Sequence, residues 1–288
     1  MLTKKSRNRI RNFLVSKQLV KIHLIHETKE ECWLFFGMQR SGNHAILNWL
    51  CYGLSETVHL NNCTIYGNFK LRFMPSGIKI FGAGEPFESA LRIKFNPNDK
   101  ELREQINGTK NRIYSFENTL PEPYFYAHFL ARQTIVILRD PANWLASFKK
   151  HYENHPNLTQ KLINGMMMYK KHLRFALQHI DNPTPFTHII NYNEFIQNQS
   201  YRALTSKKLG IHNLQNAEST LATIPENGGG SSFTKLQANP EVDTRWQTYR
   251  TDTAYLNLLN DKELIHLSTQ FFKKIPGFNE MGLLKSIS

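Results

Sequence analysis

The chain has 288 residues, 40% of them hydrophobic, and a formal net charge of +13. That length suits one large α/β core, or a core with an insertion, and no apolar run approaches the roughly 20 residues of a membrane span. Cys32, Cys51 and Cys63 form neither an even disulfide set nor a metal-type spacing, so a reducing, cytoplasmic setting is expected.

The basic balance implies anionic company: nucleic acid, an anionic membrane face, or an anionic cofactor and acceptor. No helix-turn-helix signature, zinc-finger spacing or RNP-type strand points to specific nucleic-acid recognition. The N-terminal extension over about residues 1–30, beginning MLTKKSRNRIRNFLVSK, lacks the apolar core and cleavage site of a signal peptide. It reads as a solvated basic helix, with peripheral contact to an anionic membrane as the alternative.

The first organised stretch is Cys32 to Leu50, CWLFFGMQRSGNHAILNWL. Trp33 to Phe36 read as a buried strand, Gly37 to Gly42 as a glycine-bounded loop, and Asn43 onward as a helix. Ala45, Ile46, Trp49 and Leu50 share one face of that helix. Strand, loop and helix start together present backbone N–H groups and a helix N-terminus to an anion. The loop has the G-x-x-x-x-G frame of a phosphate-binding loop, but Asn43-His44 stand where Lys-[ST] would follow. A cradle that does not hydrolyse a nucleoside triphosphate is expected, with Arg40 supplying the positive charge.

Residues from about 55 to 110 are punctuated by Gly67, Gly77, Gly82, Gly84, Pro75, Pro86 and Pro97. They read as an irregular substrate-side insertion, or as a plain covering segment. Arg112–Phe116 is a short strand leading into Glu117. Thr134–Leu138, TIVIL, reads as a central parallel strand. It runs into Arg139-Asp140-Pro141, where Asp140 suits an N-cap and Pro141 the first helical turn. Trp144, Leu145 and Phe148 form the inner face of that helix. Leu158–Ile180 reads as a long helix, with Met166 to Met168 as core. Thr187–Asn191 is a further strand, and Tyr192-Asn193-Glu194-Phe195 opens a helix with Asn193 as a plausible cap. Asn227–Phe233, NGGGSSF, reads as a mobile loop, and Asp261–Phe272 as a closing amphipathic helix. The alternation predicts a doubly wound, three-layer α/β/α fold with a central parallel sheet. In such sheets ligands bind at the carboxyl ends of the strands. Arg40-Ser41-Gly42, Glu117 and Arg139 all fall there.

At these residues the chain resembles sulfotransferases that use 3′-phosphoadenosine 5′-phosphosulfate (PAPS). In that family an early strand-loop-helix carries Pro-Lys-Ser-Gly-Thr-Thr or, in several carbohydrate enzymes, Arg-Ser-Gly-Ser-Ser. Gln39-Arg40-Ser41-Gly42-Asn43-His44 stands in that place, with Asn43 and His44 departing from the hydroxyl pair. A strand ending in Arg-Asp-Pro, with a Ser eight residues beyond the Arg, is matched by Arg139-Asp140-Pro141 and Ser147. Tyr192-Asn193-Glu194-Phe195 is a looser match to the family's Tyr-Glu-Asp-Leu. Asn227–Phe233 would correspond to its C-terminal glycine loop, although Lys235 is the nearest basic residue to those glycines.

The resemblance spans about Cys32 to Phe272 and implies a single domain over residues 1–288, of P-loop-NTPase-like topology, with PAPS as donor. It implies donor contacts from Arg40, Ser41, Gly42, Asn43, His44, Arg139, Ser147, Tyr192, Gly229, Gly230, Ser231 and Ser232, with Arg245 as a further anion contact. It implies Glu117 as the base at the end of the strand before Arg-Asp-Pro, with His128 and His44 as runners-up; Arg40 and His44 also belong to the catalytic group. His151 and His155 read as surface. The reaction expected is in-line, metal-free sulfuryl transfer to a hydroxyl of a small molecule, carbohydrate or glycolipid, by fixed donors around the transferred group. The alternatives are a P-loop kinase or nucleotide-binding protein, and a basic, non-catalytic polyanion-binding module.

Overall fold

The structure, a computed structural model, describes residues 32–54, 56–66, 72–74, 77–81, 91–93, 100–121, 131–221 and 243–283. In chain order the strands are β1 Cys32–Gly37, β2 Thr57–Asn61, β3 Thr64–Tyr66, β4 Arg72–Met74, β5 Gly77–Phe81, β6 Leu91–Ile93, β7 Asn111–Glu117, β8 Ala131–Leu138 and β9 Thr187–Asn191. The helices are α1 Asn43–Leu54, α2 Lys100–Gly108, α3 Pro141–Tyr152, α4 Leu158–Asp181, α5 Tyr192–Gln197, α6 Gln199–Leu209, α7 Leu214–Ser219, α8 Thr253–Leu259 and α9 Lys262–Phe272, with a 3-10 turn at Arg245–Tyr249. β1, β2, β7, β8 and β9 supply the parallel set of an α/β fold flanked by helices, as the alternation predicts. Among the described residues no helix is long and apolar enough to cross a membrane, and the basic stretch 1–30 lies outside them.

The chain divides into two compact units. The first holds the described parts of 1–34, 55–116 and 122–132. Its strands lie in the order β6-β5-β2-β7. β2 runs parallel to β7, Thr57 facing Asn111 and Leu60 facing Tyr114, and antiparallel to β5. The expectation of an irregular stretch over 55–110 is therefore corrected. Its described residues carry five strands and a helix. None of these strands exceeds five residues, too few between glycines and prolines for a period of two to stand out. Within this unit the buried His59 ring nitrogen Nε2 lies 2.8 Å from Ser115 Oγ, which also accepts the Asn62 N–H at 2.9 Å.

The second unit comprises 35–54, 117–121 and the described residues from 133 onward. β8 pairs parallel with β9 from Thr134/Thr187 to Leu138/Asn191. Its core joins Trp144, Leu145 and Phe148 of α3 to Leu162, Met166, Tyr169 and Leu173 of α4 and to Leu264, Ile265 and Phe272 of α9. Each such side chain contributes about 1.5–3 kcal/mol by leaving water. Trp144 stacks on Tyr169 with ring centroids 4.5 Å apart. Of the methionine run only part is core, since Met166 is buried and Met167 is 55% exposed. Asp140 caps α3 as expected, accepting the Asn143 N–H at 2.8 Å. The cap of α5 is Asn191, not Asn193: Asn191 Oδ1 accepts the N–H groups of Asn193 and Glu194 at 3.0 and 3.4 Å. This leaves the Asn193 side chain for another task.

Candidate active site

All the described site residues belong to the second unit. The loop after β1 turns sharply because Arg40 takes a φ of 70° and Gly42 a φ of 92°. A non-glycine residue in that region costs about 1–3 kcal/mol and persists only when its surroundings hold it. Here Ser41 N–H donates to Met38 O at 3.1 Å and Gln39 N–H donates to Asn118 Oδ1 at 3.0 Å. Trp144 Nε1 donates to Gln39 O at 2.9 Å, and Tyr152 Oη donates to Gln39 Oε1 at 2.6 Å. Because the Ser41 N–H is committed to Met38, donation to a ligand from this residue falls to its hydroxyl. That hydroxyl is buried and has no hydrogen-bond partner among the described residues. α1 begins at Asn43, so the loop delivers a helix N-terminus. His44 is half-buried in its first turn.

Glu117 closes β7. Burial pushes its carboxyl above the usual range, opposed by a hydrogen bond from Asn43 and by the Arg40 charge. Arg40 is shifted the other way, lowered first by burial and then by Arg139, with Glu117 opposing. The turn beyond Glu117 is clasped to the loop: Asn118, at φ 54°, donates its N–H to Gly37 O at 3.0 Å. His172 of α4 stands under this turn, its two ring nitrogens 3.0 and 3.1 Å from Met168 O and Thr119 O. Tyr152 and His151, at the end of α3, also stand near the site. Tyr152 lies within electrostatic reach of Glu117, and His151, exposed as its polar run predicts, lies within reach of Arg40.

The second cluster forms at the end of β8. Arg139 is almost fully buried, with its guanidinium carbon 5.4 Å from the centroid of the Tyr192 ring. The same ring packs on Gly42, where an added Cβ would stand 2.0 Å from Tyr192 Cε2. Tyr192 thus touches both clusters and fills the space between them. Ser147 lies two turns into α3, and Arg245 Nη1 donates to its Oγ at 3.4 Å. Burial, then the neighbouring Arg139 charge, push the Arg245 guanidinium down to about 9. Neighbouring guanidiniums lower the affinity of Arg40 and Arg245 for a proton, an arrangement that an anion among the three would relieve.

A polar network fixes the second cluster. Asn193 Nδ2 donates to Asp140 Oδ2 at 2.8 Å and to Asp243 Oδ1 at 2.7 Å, and its Oδ1 accepts the Asp140 N–H at 2.9 Å. Asn143 Nδ2 donates to Asp243 O at 3.1 Å while its Oδ1 accepts the Trp246 N–H at 3.2 Å. Burial raises the carboxyls of Asp140 and Asp243. Tyr169 Oη donates to Arg139 O.

The structure therefore brings together Arg40, Ser41, Gly42, Asn43, His44, Glu117, Arg139, Ser147, Tyr192 and Arg245 in one unit. Gly229, Gly230, Ser231, Ser232 and His128 lie outside the described residues. Sequence reasoning passed over Gln39, Asn118, Asn143 and Asp243, and misassigned Asn193. Only Asn118 carried a local signal, as an asparagine directly after a strand and suited to a left-handed turn.

No protein-family model matches the chain, and no curated protein matches it. Solved structures do. A sulfotransferase domain from the curacin biosynthetic pathway matches with a TM-score of 0.53 at 11% identity, over 87% of this chain and 100% of that one. A sulfotransferase domain from the Synechococcus PCC 7002 olefin synthase matches with a TM-score of 0.53 at 12% identity, over 87% of this chain and 98% of that one. Mouse sulfotransferase SULT7A1, complexed with PAP, matches with a TM-score of 0.51 at 14% identity, over 95% of this chain and 94% of that one. The chain has the sulfotransferase fold.

Proposed function

We propose that this chain is a sulfotransferase that moves a sulfuryl group from PAPS to a hydroxyl, on a carbohydrate or glycolipid acceptor. The observation that carries the reading is the meeting of Arg40, Arg139 and Arg245 with the carboxyl of Glu117 at the carboxyl ends of β1, β7 and β8. The residues present suit such a donor. The buried Ser41 hydroxyl is open to an acceptor oxygen, and two arginine-bearing clusters suit its two anionic ends. When bound, the donor supplies an electrophilic sulfuryl group whose leaving group is a phosphate.

The chain's own residues supply the rest. Arg40, the Ser41 hydroxyl and the N–H groups of Gly42, Asn43 and His44 hold negative charge in the cradle. Arg139, Arg245 and Ser147 hold a terminal phosphate, the arginines through their planar forks. Tyr192 braces the two clusters against each other and would stand beside the donor's adenosine when it is bound. Glu117 takes the proton of the acceptor hydroxyl: the O–H bond breaks, the new S–O bond forms, the bond to the leaving phosphate breaks, and Glu117 ends as a neutral acid. A carboxyl raised by burial is closer to the operating pH and so a better base. The likeness to a sulfotransferase crystallised with PAP supports the choice of donor, and the Arg-Ser-Gly form of the cradle supports a carbohydrate acceptor.

A thermal-shift and calorimetric panel tests the reading. Adenosine 3′,5′-bisphosphate at about 100 times its Kd should stabilise the protein by about 2.7 kcal/mol. Stabilisation by ATP–Mg²⁺ in its place would favour the kinase reading. Response to heparin alone, with a steep salt dependence, would favour a polyanion-binding module.

A further inference from the structure

Asn43 occupies a position where the sulfotransferases resembled here carry a hydroxyl residue, and its side chain is turned toward Glu117. Its Nδ2 donates to Met38 O at 3.2 Å and to Glu117 Oε1 at 3.3 Å. Its Oδ1 is buried with no hydrogen-bond partner among the described residues. That oxygen lies 2.2 Å from where a Cβ on Gly37 would stand, so glycine at 37 is what admits the amide. The backbone of the Glu117 turn is held independently, by Asn118 on Gly37 and Gln39 and by the Thr119 hydroxyl, which donates to Glu117 O at 3.2 Å. One asparagine fixes the turn; the other fixes the carboxylate.

We propose that Asn43 is a positioning residue for Glu117: its amide engages one carboxylate oxygen and leaves the other to receive the acceptor's proton. The inference rests on the reading of Glu117 as the base. A donated hydrogen bond to a carboxylate also favours the ionised form, so Asn43 lowers the pH at which Glu117 works, against the larger upward push of burial. Among the described residues the other groups facing Glu117 are Arg40, whose charge acts in the same direction, and Tyr152 from the end of α3.

The experiment uses the full chain with Asn43→Ala and the isosteric Asn43→Asp. The Glu117 carboxyl is followed by carbon NMR without ligand, and kcat is followed against pH with PAPS and an acceptor. In Asn43→Ala both the Glu117 titration and the acid limb of kcat should move up by about one unit, a roughly tenfold loss of kcat below the limb. Adenosine 3′,5′-bisphosphate affinity should change no more than about twofold. Asn43→Asp should move both further, because two adjacent carboxyls cannot both ionise freely. A Glu117 titration unmoved in both variants overturns the inference. So does a tenfold loss of bisphosphate affinity with the titration unmoved, which would make the Asn43 side chain a donor contact. Failure of the underlying reading shows separately, as full turnover retained in Glu117→Gln.

Discussion

Around Arg40 the chain relies on backbone shape, whereas around Arg139 it relies on a buried polar network. The first region has two residues at positive φ within a three-residue span, a hydroxyl with no partner among the described residues and a half-buried carboxyl held by one amide. The second has a capped helix and two asparagines, each of which bonds to both Asp140 and Asp243. Groups that must meet a reacting centre cannot be fully satisfied beforehand, and their strain is borne by neighbours. Groups that only anchor a phosphate can be locked in advance. On the proposed function, the contrast corresponds to chemistry in the first region and grip in the second.

The strongest way to break that contrast is at Glu117. Glu117→Gln should reduce turnover by about 10²–10⁴-fold while calorimetry finds bisphosphate affinity nearly unchanged. A large loss of affinity would merge the two regions into one. Arg139→Ala should do the reverse, weakening the bisphosphate by about 2–5 kcal/mol with little change in acceptor KM; unchanged affinity in the same titration removes Arg139 from the anchor.

His172 sharpens the comparison through pH. Burial, outweighing the carbonyls of Met168 and Thr119, pushes its ring from 6.5 down to about 4. Between those values the unfolded chain binds a proton that the folded chain refuses, so stability falls as pH drops from 6.5 to 4. The full loss is about 3 kcal/mol. Urea unfolding at a series of pH values should show this slope, and His172→Gln should flatten it. The smallest effect is expected in the network, where Asn193→Ala leaves Asp140 and Asp243 short of a donor. It should cost about 1–3 kcal/mol of stability, read from the urea midpoint, with kcat at saturating donor largely kept.

The strands and helices that hold the site were legible in the sequence because each carries a local pattern. TIVIL, the Asp140-Pro141 helix start and the glycine-bounded loop need only their own neighbours to be read. The network was not legible, since Asn193 lies 53 residues from Asp140 and Asn143 lies 100 from Asp243. An asparagine looks the same in sequence whether it caps a helix or bridges two carboxyls. Asn193 stands only two residues beyond the cap, Asn191, and nothing local separates their roles. The strands β2 to β6 escape for a different reason: at three to five residues each, they hold too few alternations for a period of two to stand out.

The packing of Tyr192 on Gly42 has a consequence for how such a protein can diverge. No side chain fits at position 42 while that ring stays where it is, with 2.0 Å to the nearest ring atom. The two positions, 150 residues apart in the chain, are therefore expected to drift as a pair, a larger residue at 42 appearing only with a smaller one at 192. Gly37 is held from two sides, since a Cβ there would stand 2.2 Å from Asn43 Oδ1 and 2.9 Å from Ile137 Cγ1. Losing the amide at 43 would therefore not by itself release position 37, and the three residues are expected to drift together.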